Sequence, residues 1–413
     1  MTAESPASES PTPIPTGLQL TSLDPAFCAD PYPILHRLRA EDPIHRDEVL
    51  GRLFFTRHDD VRSILYDLTL VTDPRKSRPN SFVDRFLRDG DNEPSMLLMD
   101  EPEHKRLRSL VSGSFTPRAV ERWRPRVRAI AERLVNELEA GQHDLMAKLA
   151  KPLPSVVIAE LLGVDASRHD DFKKWSDDVV VIGFNPSPTE EETARGEASR
   201  KCLEDFLLSE IEKRRGDPQD DLLSELLRAQ QGQDRLSDHE IFQQCQLLLV
   251  AGNVTTTDLI GNGVKALSEN PEQQEILREQ PEYLANAVEE TLRFDSPVVN
   301  SGRTASVDFE FQGTPILKGE SLSVSLAAAN RDPAIYPEPD RFDVRRPDTH
   351  HHAFGGGRHL CLGAHLARLE AQETFAALLQ RFRHFERGAE GHEYAAIPSF
   401  RSLKKLWLDF RAA

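Results

Sequence analysis

The chain has 413 residues, and its 68 acidic residues outnumber the 51 basic ones, which gives a formal net charge of -17 at pH 7. This balance argues against a nucleic-acid-binding protein, for which a basic domain is expected. The four cysteines form no C-x-x-C pair and predict neither a disulfide framework nor a structural zinc site.

The first 18 residues form a low-complexity segment. Proline, serine and threonine dominate there, so we predict a disordered tail over residues 1–18 and one folded domain over 19–413. The start of the chain lacks the basic and apolar regions of a signal peptide, and no run approaches the roughly 18 apolar residues that span a bilayer. We therefore expect a cytoplasmic protein without membrane contact.

Helical periodicity dominates the rest of the chain. A short strand over 53–56 leads into an amphipathic helix that carries Val61, Ile64 and Leu65. Apolar residues then recur at helical spacing over 119–138, 145–162, 202–214, 221–230 and 237–268. Alternating apolar residues and glycine turns in 306–326 predict small strands. The pattern predicts a mainly α, single-domain fold with small β-sheets.

The helix predicted over 237–268 has a defined start and an unusual middle. Ser237 and Glu240 stand at capping-box spacing, and no proline follows for about 30 residues, which gives a rod of roughly 45 Å. Gly252 and the threonines at 255–257 are poor helix formers, so we infer that something other than stability selects them. Gly252 could leave space for a planar ligand or dioxygen, and the hydroxyls could bond a water. The alternative is a kinked core helix with internally satisfied threonines.

Cys361 follows a glycine-rich run and precedes Leu362, Leu366 and Leu369, which recur at helical spacing. We therefore expect the cysteine at a helix start, where unpaired N–H groups and the helix dipole favour the thiolate, a good metal ligand. The glycines at 355–357 allow the backbone to approach a large, flat group. A buried cysteine behind a flexible glycine loop is the alternative.

The same run matches the pattern F-G-x-G-x-H-x-C-x-G. It resembles the haem-binding signature of the cytochrome P-450 family and is carried by Phe354, Gly355, Gly357, His359, Cys361 and Gly363. The resemblance implies haem b as the cofactor and Cys361 as the ligand of its iron. The family often has a histidine at the position of His351, so we interpret His350 and His352 as solvated loop residues.

The long helix resembles the oxygen-binding helix of this family, which usually reads A-G-x-acid-T-T. Four positions match, Ala251, Gly252, Thr255 and Thr256, whereas Val254 replaces the acid that helps to pass protons to bound oxygen. The resemblance supports oxygen binding but implies an atypical proton relay. Asp258 lies one turn after Val254 on roughly the same face. Our candidates for proton delivery are Asp258, a water held by Asn253, or a polar group of the substrate; the alternative is that Asp258 pairs with a nearby basic residue.

Glu290 and Arg293 stand three residues apart on a predicted helix. Such a pair is commonplace and is usually a weak surface ion pair. It resembles, however, the family's signature pair, whose third partner is an arginine before the cysteine loop. Arg346 fits that role best, although Arg341 and Arg345 are close. The resemblance implies a structural network that holds the loop presenting Cys361.

Haem propionates need cations, and the resemblance assigns four residues to them. His104 and Arg108 are four residues apart on one face of a predicted helix, and Arg303 and His359 complete the set. Taken singly, each residue would be read as an ordinary surface residue.

The resemblance implies a soluble, bacterial-type haem-thiolate monooxygenase that hydroxylates, epoxidises or O-dealkylates its substrate. The chain carries no flavin or iron-sulfur motif, so electrons from NAD(P)H must come through partners, a ferredoxin and its reductase. The ferredoxin is expected to dock on a basic patch of Lys105, Arg106 and Arg358. We expect a monomer. A haem-thiolate enzyme that uses peroxide or rearranges its substrate is one alternative, and a haem sensor is another.

By family analogy, five segments line the substrate pocket: 78–99, 179–188, 248–256, 298–301 and 397–400. They are largely apolar, which favours a medium-sized hydrophobic molecule. The glycine and prolines of 179–188 suit a mobile lid at the entrance.

Overall fold

The computed structural model describes residues 13–84, 95–185, 187–230 and 236–412. Residues 1–12 of the predicted tail therefore lie outside the described part of the chain. The end of the predicted tail is bonded to the fold, since Thr16 Oγ1 and the Gly17 N–H both donate to Asp47 Oδ1, over 2.9 and 3.0 Å.

The N-terminal part of the fold contains the strand and the helix predicted there. The elements are α1 Pro25–Ala29, α2 Tyr32–Glu41, β1 Ile44–Asp47, β2 Arg52–Phe55 and α3 His58–Tyr66. Val61, Ile64 and Leu65 are buried on one face of α3, as their spacing predicts. The prediction of an amphipathic helix here is confirmed.

Helices make up most of the remaining structure, as predicted. They are α4 Glu103–Ser112, α5 Pro117–Glu121, α6 Arg124–Asn136, α7 Pro152–Leu162, α8 His169–Phe184, α9 Glu190–Gly216, α10 Leu222–Gln230, α11 Asp238–Glu269, α12 Pro271–Glu279, α13 Leu284–Phe294, α14 Leu326–Ala329 and α15 Ala364–Arg381. No helix of the described ranges combines the length and the apolar content that crossing a bilayer requires.

Three helices differ in extent from their predictions. The helix predicted over 119–138 is divided into α5 and α6, and that over 145–162 begins with a π-helical turn, Met146–Ala150, before Pro152 starts α7. The helix predicted over 202–214 is the second half of α9, which begins after Thr189 with a capping box to Glu192. Its first turns are rich in glutamate and carry little apolar periodicity, so apolar spacing alone placed the start of the helix too late in the chain.

The described strands form three small sheets. In the first, the order is β1-β2-β7-β4, where β7 Ser321–Ser325 runs parallel to β2 and antiparallel to β4 Asn300–Thr304. In the second, β9 Leu403–Ala412 lies between β3 Gly141–Asp144 and β8 Phe382–Tyr394. The third is the hairpin of β5 Phe309–Phe311 and β6 Thr314–Ile316, in the segment where strands were predicted.

The helix α11 is the central element. Ser237 caps it and forms the predicted capping box with Glu240, and its 32 residues span about 48 Å. It packs against α7, α8, α13 and α15. Gly263 permits the approach of α15, because a Cβ at that position would lie 2.3 Å from Phe375 Cζ. This packing brings the middle of α11 across from the loop that precedes α15.

Candidate active site

An open cavity of about 270 Å³ lies between the middle of α11 and the loop before α15. Cys361 lines it on the loop side, and Ala251, Gly252, Thr255 and Thr256 line it on the α11 side. Most of the other lining residues are apolar: Met96, Leu97, Phe115, Ile158, Leu247, Leu248, Leu259, Leu292, Pro297, Val298, Leu326, Phe354, Leu360, Leu362 and Leu366. The fold thus brings together the cysteine run and the long helix.

The glycine loop fixes the position of Cys361. The Cys361 N–H donates to the Phe354 carbonyl over 2.9 Å, which closes the loop. Gly357 has a φ of +64°, and a Cβ there would lie 2.5 Å from the Leu65 carbonyl oxygen, so the position requires glycine. Gly363 is the N-cap of α15, which begins at Ala364, so Cys361 lies two residues before the N-cap rather than within the helix.

The Cys361 side chain lines the cavity and is exposed toward it. The protein around the loop nevertheless desolvates the thiol, and this raises its pKa above the ordinary value. The Gly363 N–H, Arg108 and Arg368 act in the opposite direction but do not reverse the shift. The Gly363 N–H at the helix start thus lowers the pKa of Cys361, as predicted, but this contribution is smaller than that of desolvation. A thiolate here needs a further positive partner, which suits a metal ligand.

A cluster of imidazole and guanidinium side chains borders one end of the cavity. His104 is buried on α4, and its ring stacks on that of His359 with the centroids 4.2 Å apart. Thr72 Oγ1 lies 3.1 Å from His359 Nε2. Desolvation, followed by the nearby positive charges of His104 and Arg303, lowers the pKa of His359 to about 3. The two imidazoles therefore offer hydrogen bonds rather than charge at neutral pH.

Arg108 and Arg303 supply the charge of this cluster. Arg108 lines the cavity and donates to the Leu360 carbonyl over 2.6 Å. Arg303 is 6 % exposed and donates to the carbonyls of Leu65 and Gly356. Burial, and then the charge of Arg358, lowers the pKa of Arg303 to about 10. An anionic ligand would relieve this crowding of positive charge.

The donor set fits a haem. One thiol, that of Cys361, is among the described lining residues of a largely apolar cavity, and cations and imidazoles border one end of it, where propionate carboxylates need them. The predicted propionate residues His104, Arg108 and His359 line the cavity, whereas Arg303 supports the loop at Gly356 from behind.

The cavity face of α11 carries the predicted oxygen-side residues. Thr255 Oγ1 donates to the Ala251 carbonyl over 2.8 Å, the internal bond that the kinked-helix alternative also expects. The space beside Gly252 is partly filled, because a Cβ there would lie 3.4 Å from Ile158 Cδ1. Gly252 therefore permits close packing of α7 as well as opening the cavity.

Val254 lies in an apolar cluster beside the cavity. It is 2 % exposed and packs with Val180 of α8 and with Ile397 and Phe400. Segments 179–188 and 397–400, predicted to line the pocket, thus contribute residues that cover Val254. Residues 85–94 and Pro186, in two of the predicted pocket segments, lie outside the described residues.

Asp258 and Asn253 are not among the described residues that line the cavity. Asp258 is on the face of α11 that turns toward β9, and its Oδ2 accepts a 2.6 Å hydrogen bond from Ser402 Oγ. The alternative prediction for Asp258 was an ion pair with a basic residue. The structure instead gives this carboxyl a hydrogen bond from the Ser402 hydroxyl. Asn253 is fully buried, and both polar atoms of its amide lack a protein partner in the described structure. Neither side chain reaches the cavity directly.

The structure brings Glu290, Arg293 and Arg346 together. Arg293 binds both Glu290 carboxylate oxygens over 2.7 and 2.9 Å, and Arg346 Nε lies 3.1 Å from both. Arg293 and Arg346 also donate to the Arg341 carbonyl, which explains why Arg341 is close but is not the third partner. The Arg345 side chain lies over the Tyr283 ring.

The histidines at 350–352 differ from their interpretation. His350 is exposed, as expected, but His352 is buried, and its ring stacks on His58 at 4.5 Å. Burial, together with the charge of His58, lowers the pKa of His352 to about 4. His352 is therefore a neutral core residue. Its backbone N–H donates a hydrogen bond to Asn330 Oδ1.

Sequence reasoning missed several residues near the site. Glu370 of α15 lines the cavity, is 2 % exposed, and has a pKa raised well above the ordinary value by burial. Arg368, also on α15, binds Glu289 of α13 and stacks on Phe354. The ExxR pattern directs attention to Glu290 and Arg293, and no local signal joins Glu289 to an arginine 79 positions later.

Comparison with protein families gives a match to the cytochrome P450 family model over residues 56–393. The matched segment includes α4, α11, α13 and the cysteine loop, and therefore all of the elements that form the cavity.

Individual relatives agree with this match. The chain is 42% identical over 376 residues to cytochrome P450 107B1 of Saccharopolyspora erythraea, which covers 88% of this chain and 90% of the relative. It is 42% identical over 359 residues to the vitamin D(3) 25-hydroxylase of Pseudonocardia autotrophica, and the match covers 85% of this chain and 86% of that relative. Among solved structures, the myxobacterial cytochrome P450 CYP267B1 in complex with myristic acid superposes with a TM-score of 0.87 at 34% identity, covering 95% of this chain and 99% of that one.

Proposed function

The chain belongs to the cytochrome P450 family of monooxygenases, whose cofactor is haem b, and we propose that it inserts one oxygen atom from dioxygen into a medium-sized, largely apolar substrate. Hydroxylation, epoxidation and O-dealkylation are the reactions we consider. The single observation that carries the proposal is the position of Cys361 in an apolar cavity, across from the threonines of α11.

We assign a role toward the haem to the residues that line the cavity and to those that support its walls. When bound, the haem supplies the iron that activates dioxygen, and a thiolate ligand favours O–O cleavage. Cys361 would hold the iron, His104, Arg108 and His359 would hold the propionates, and Arg303 would support them from behind the loop at Gly356. Phe354, Gly363, Ala251 and Gly252 form the walls, and Thr255 and Thr256 hold water on the oxygen side. Glu290, Arg293 and Arg346 hold the loop that presents Cys361.

The substrate class follows from the cavity walls. The described residues near α11 that face the cavity include Leu247, Leu248 and Val298, with few polar groups beside them. Such a surface favours the burial of hydrocarbon. Myristic acid in the related structure and vitamin D(3) in the relative's name are both mostly hydrocarbon. A screen of apolar compounds for the optical shift that follows displacement of iron-bound water would narrow the class.

A ferredoxin is our proposed electron donor, in a cytoplasmic setting, and the chain acts as a monomer. Lys105 is exposed on α4, and Arg106 is paired with Glu240. Arg358 donates to the Leu68 and Leu70 carbonyls. The exposed side chains Leu68 and Leu360 add apolar surface near this patch. An acidic partner therefore meets both charge and apolar surface here.

Proton delivery to the oxygen side of the cavity needs a group that replaces the acid missing at Val254. Asp258, a water held by Asn253, and a polar group of the substrate are the three candidates. Burial raises the pKa of Asp258 to about 8, so its carboxyl holds a proton at neutral pH. Asp258→Asn is expected to raise the fraction of electrons lost to peroxide if Asp258 delivers protons. An unchanged fraction would eliminate Asp258 and leave the other two candidates.

The apolar surroundings of Val254 favour a second candidate function. A haem-thiolate enzyme that uses peroxide, or that rearranges its substrate, does not need the acid that Val254 replaces. A haem sensor has less support, because the cavity presents two threonine hydroxyls on its α11 side.

One experiment separates these functions. The full-length, haem-loaded protein is given ferredoxin, reductase and NAD(P)H under oxygen, and in parallel peroxide alone, with a compound that causes the optical shift. Oxygen-dependent product with the full electron chain supports the monooxygenase. Product with peroxide only would support the second function, and no product under either condition with any shifting compound would support the sensor.

A further inference from the structure

A partly buried ion pair between Arg368 and Glu289 lies next to the cysteine loop. Arg368 of α15 donates to both carboxylate oxygens of Glu289 on α13, from Nε over 2.6 Å and from a terminal nitrogen over 2.8 Å. The two side chains are 29% and 24% exposed, respectively, so solvent reaches the pair but does not surround it. A two-pronged contact of this kind fixes the guanidinium in position as well as in charge.

His351 fixes the other side of Glu289. The Ala353 N–H donates to His351 Nδ1 over 3.2 Å, so the ring carries its proton on Nε2, which lies 3.2 Å from Glu289 Oε2. Glu289 is partly desolvated, yet hydrogen bonds from Arg368 and His351 hold its pKa down at about 2. Glu289 is therefore a carboxylate at neutral pH, and the pair consists there of two opposite charges.

Phe354 connects this pair to the cavity. The Arg368 guanidinium carbon lies 4.5 Å from the centroid of the Phe354 ring. Among the described residues, Phe354 lines the cavity whereas Arg368 and Glu289 do not. The Phe354 carbonyl accepts the hydrogen bond of the Cys361 N–H. One aromatic ring therefore separates a fixed positive charge from the cavity wall that carries Cys361, and the Arg368 charge acts to lower the pKa of the Cys361 thiol.

We propose that Arg368 is a positioning residue that sets the reduction potential of the haem held by Cys361, with Glu289 as the charge that limits its effect. The inference rests on the proposed function in one respect, namely that Cys361 ligates the haem iron. It assigns to α13 and α15 a role in electron acceptance that is distinct from the loop-holding role of Glu290, Arg293 and Arg346.

The two members of the pair must act in opposite directions. Reduction of the ferric haem adds one negative charge to the site, and a nearby cation stabilises the reduced form whereas a nearby anion destabilises it. Removal of the Arg368 charge leaves Glu289 without its partner, so the reduced form becomes harder to reach. Removal of the Glu289 charge leaves Arg368 without its partner, so the reduced form becomes easier to reach. Loss of structure alone has no reason to produce this opposition.

The test is spectroelectrochemical titration of the full-length, haem-loaded, substrate-free protein. Arg368→Gln is expected to shift the reduction equilibrium at least threefold toward the ferric form, which is about 28 mV more negative at 59 mV per tenfold change for one electron. Glu289→Gln is expected to shift it at least threefold in the other direction. Arg368→Lys keeps the charge and should stay closer to the wild type than Arg368→Gln does.

Arg126→Gln is the matched control. Arg126 also forms a two-pronged pair, with Glu160, over 2.7 Å from its Nε, and neither residue is among the described residues that line the cavity. The haem reduction potential of Arg126→Gln should equal that of the wild type. If Arg368→Gln fails to bind haem, Glu289→Gln decides alone. Potentials of Arg368→Gln and Glu289→Gln that move together, or that do not move, would overturn the inference.

The carbon monoxide spectrum of the reduced wild type separates this failure from failure of the proposed function. A wild type without the thiolate-haem band would remove the proposed function and with it this inference. A wild type with that band, combined with unmoved potentials in the variants, would remove the inference about Arg368 alone.

Discussion

Ser402 Oγ donates a 2.6 Å hydrogen bond to Asp258 Oδ2 in the buried contact between β9 and α11. Among the described residues, Ser402 donates the one side-chain hydrogen bond to this carboxyl, and it does not offset the cost of burial, which raises the pKa of Asp258 to about 8. Asp258 is therefore neutral in the folded protein at pH 7, whereas in the unfolded chain it ionises near pH 4.

This difference predicts how stability changes with pH. Between about pH 4 and pH 8 the folded protein holds a proton that the unfolded chain has released, so rising pH favours unfolding by up to about 1.4 kcal/mol per pH unit. Asp258→Asn removes this contribution. Urea unfolding at pH 5 and pH 7.5 should show the variant gaining stability relative to the wild type as the pH rises. A difference that is independent of pH would mean that Asp258 is ionised in the folded protein.

Restoring the acid at position 254 should improve the coupling of electrons to product. Val254→Glu introduces a carboxyl group one turn before Asp258, at a cost of about 1–3 kcal/mol because the site is 2 % exposed and apolar. We expect several-fold less peroxide per NAD(P)H consumed. Val254→Gln has nearly the same shape without the acid and serves as the control. Equal peroxide yields from the Glu and Gln variants would show that the relay does not use this position.

Loss of the Glu290 carboxylate should strongly destabilise the network that it forms with Arg293 and Arg346. Glu290→Gln leaves Arg293 and Arg346, which are 0 and 8% exposed, facing each other without a carboxylate. We expect a loss of about 3–5 kcal/mol in the free energy of unfolding and poor haem retention. Glu137→Gln is the control, because Glu137 and Arg133 form an exposed pair that should contribute less than about 1 kcal/mol. Similar losses in both variants would contradict the structural role of the network.

Gly357 should not accept a side chain. Gly357→Ala combines a φ of +64° with a Cβ only 2.5 Å from the Leu65 carbonyl oxygen, so we expect a loss of more than about 1 kcal/mol and weaker haem binding. Gly113→Ala is the control, because no atom lies within 4 Å of the added Cβ. Haem titration and urea unfolding of both variants measure the effect. Unchanged haem affinity in Gly357→Ala would indicate that the loop can relax.

The features predicted well from sequence are those determined by near neighbours in the chain. The start of α11 depends on Ser237 and Glu240, three residues apart, and was predicted within one residue. The mainly helical fold follows in the same way from periodicity. The choice of Arg346 over Arg341 and Arg345 relied on family resemblance, and the structure places Arg346 beside Glu290.

The features that sequence reasoning missed depend on how distant elements pack. Desolvation by the folded loop raises the pKa of Cys361, and a helix start in the sequence gives no measure of that desolvation. His352 becomes a core residue because α3 brings His58 against it. Asp258 has the predicted position along α11, yet β9 determines what its carboxyl meets. Helical spacing therefore locates a residue on a face but does not identify the partner of that face.

The most direct test of the central claim is the carbon monoxide spectrum of the reduced, haem-loaded protein and of Cys361→Ala. A thiolate-ligated haem predicts the characteristic band of this family in the wild type and its absence in Cys361→Ala. His352→Ala, which changes another side chain of the same loop region, should retain part of the band if it still binds haem. A wild type without the band, or a Cys361→Ala variant that keeps it, would contradict the assignment of Cys361 as the iron ligand.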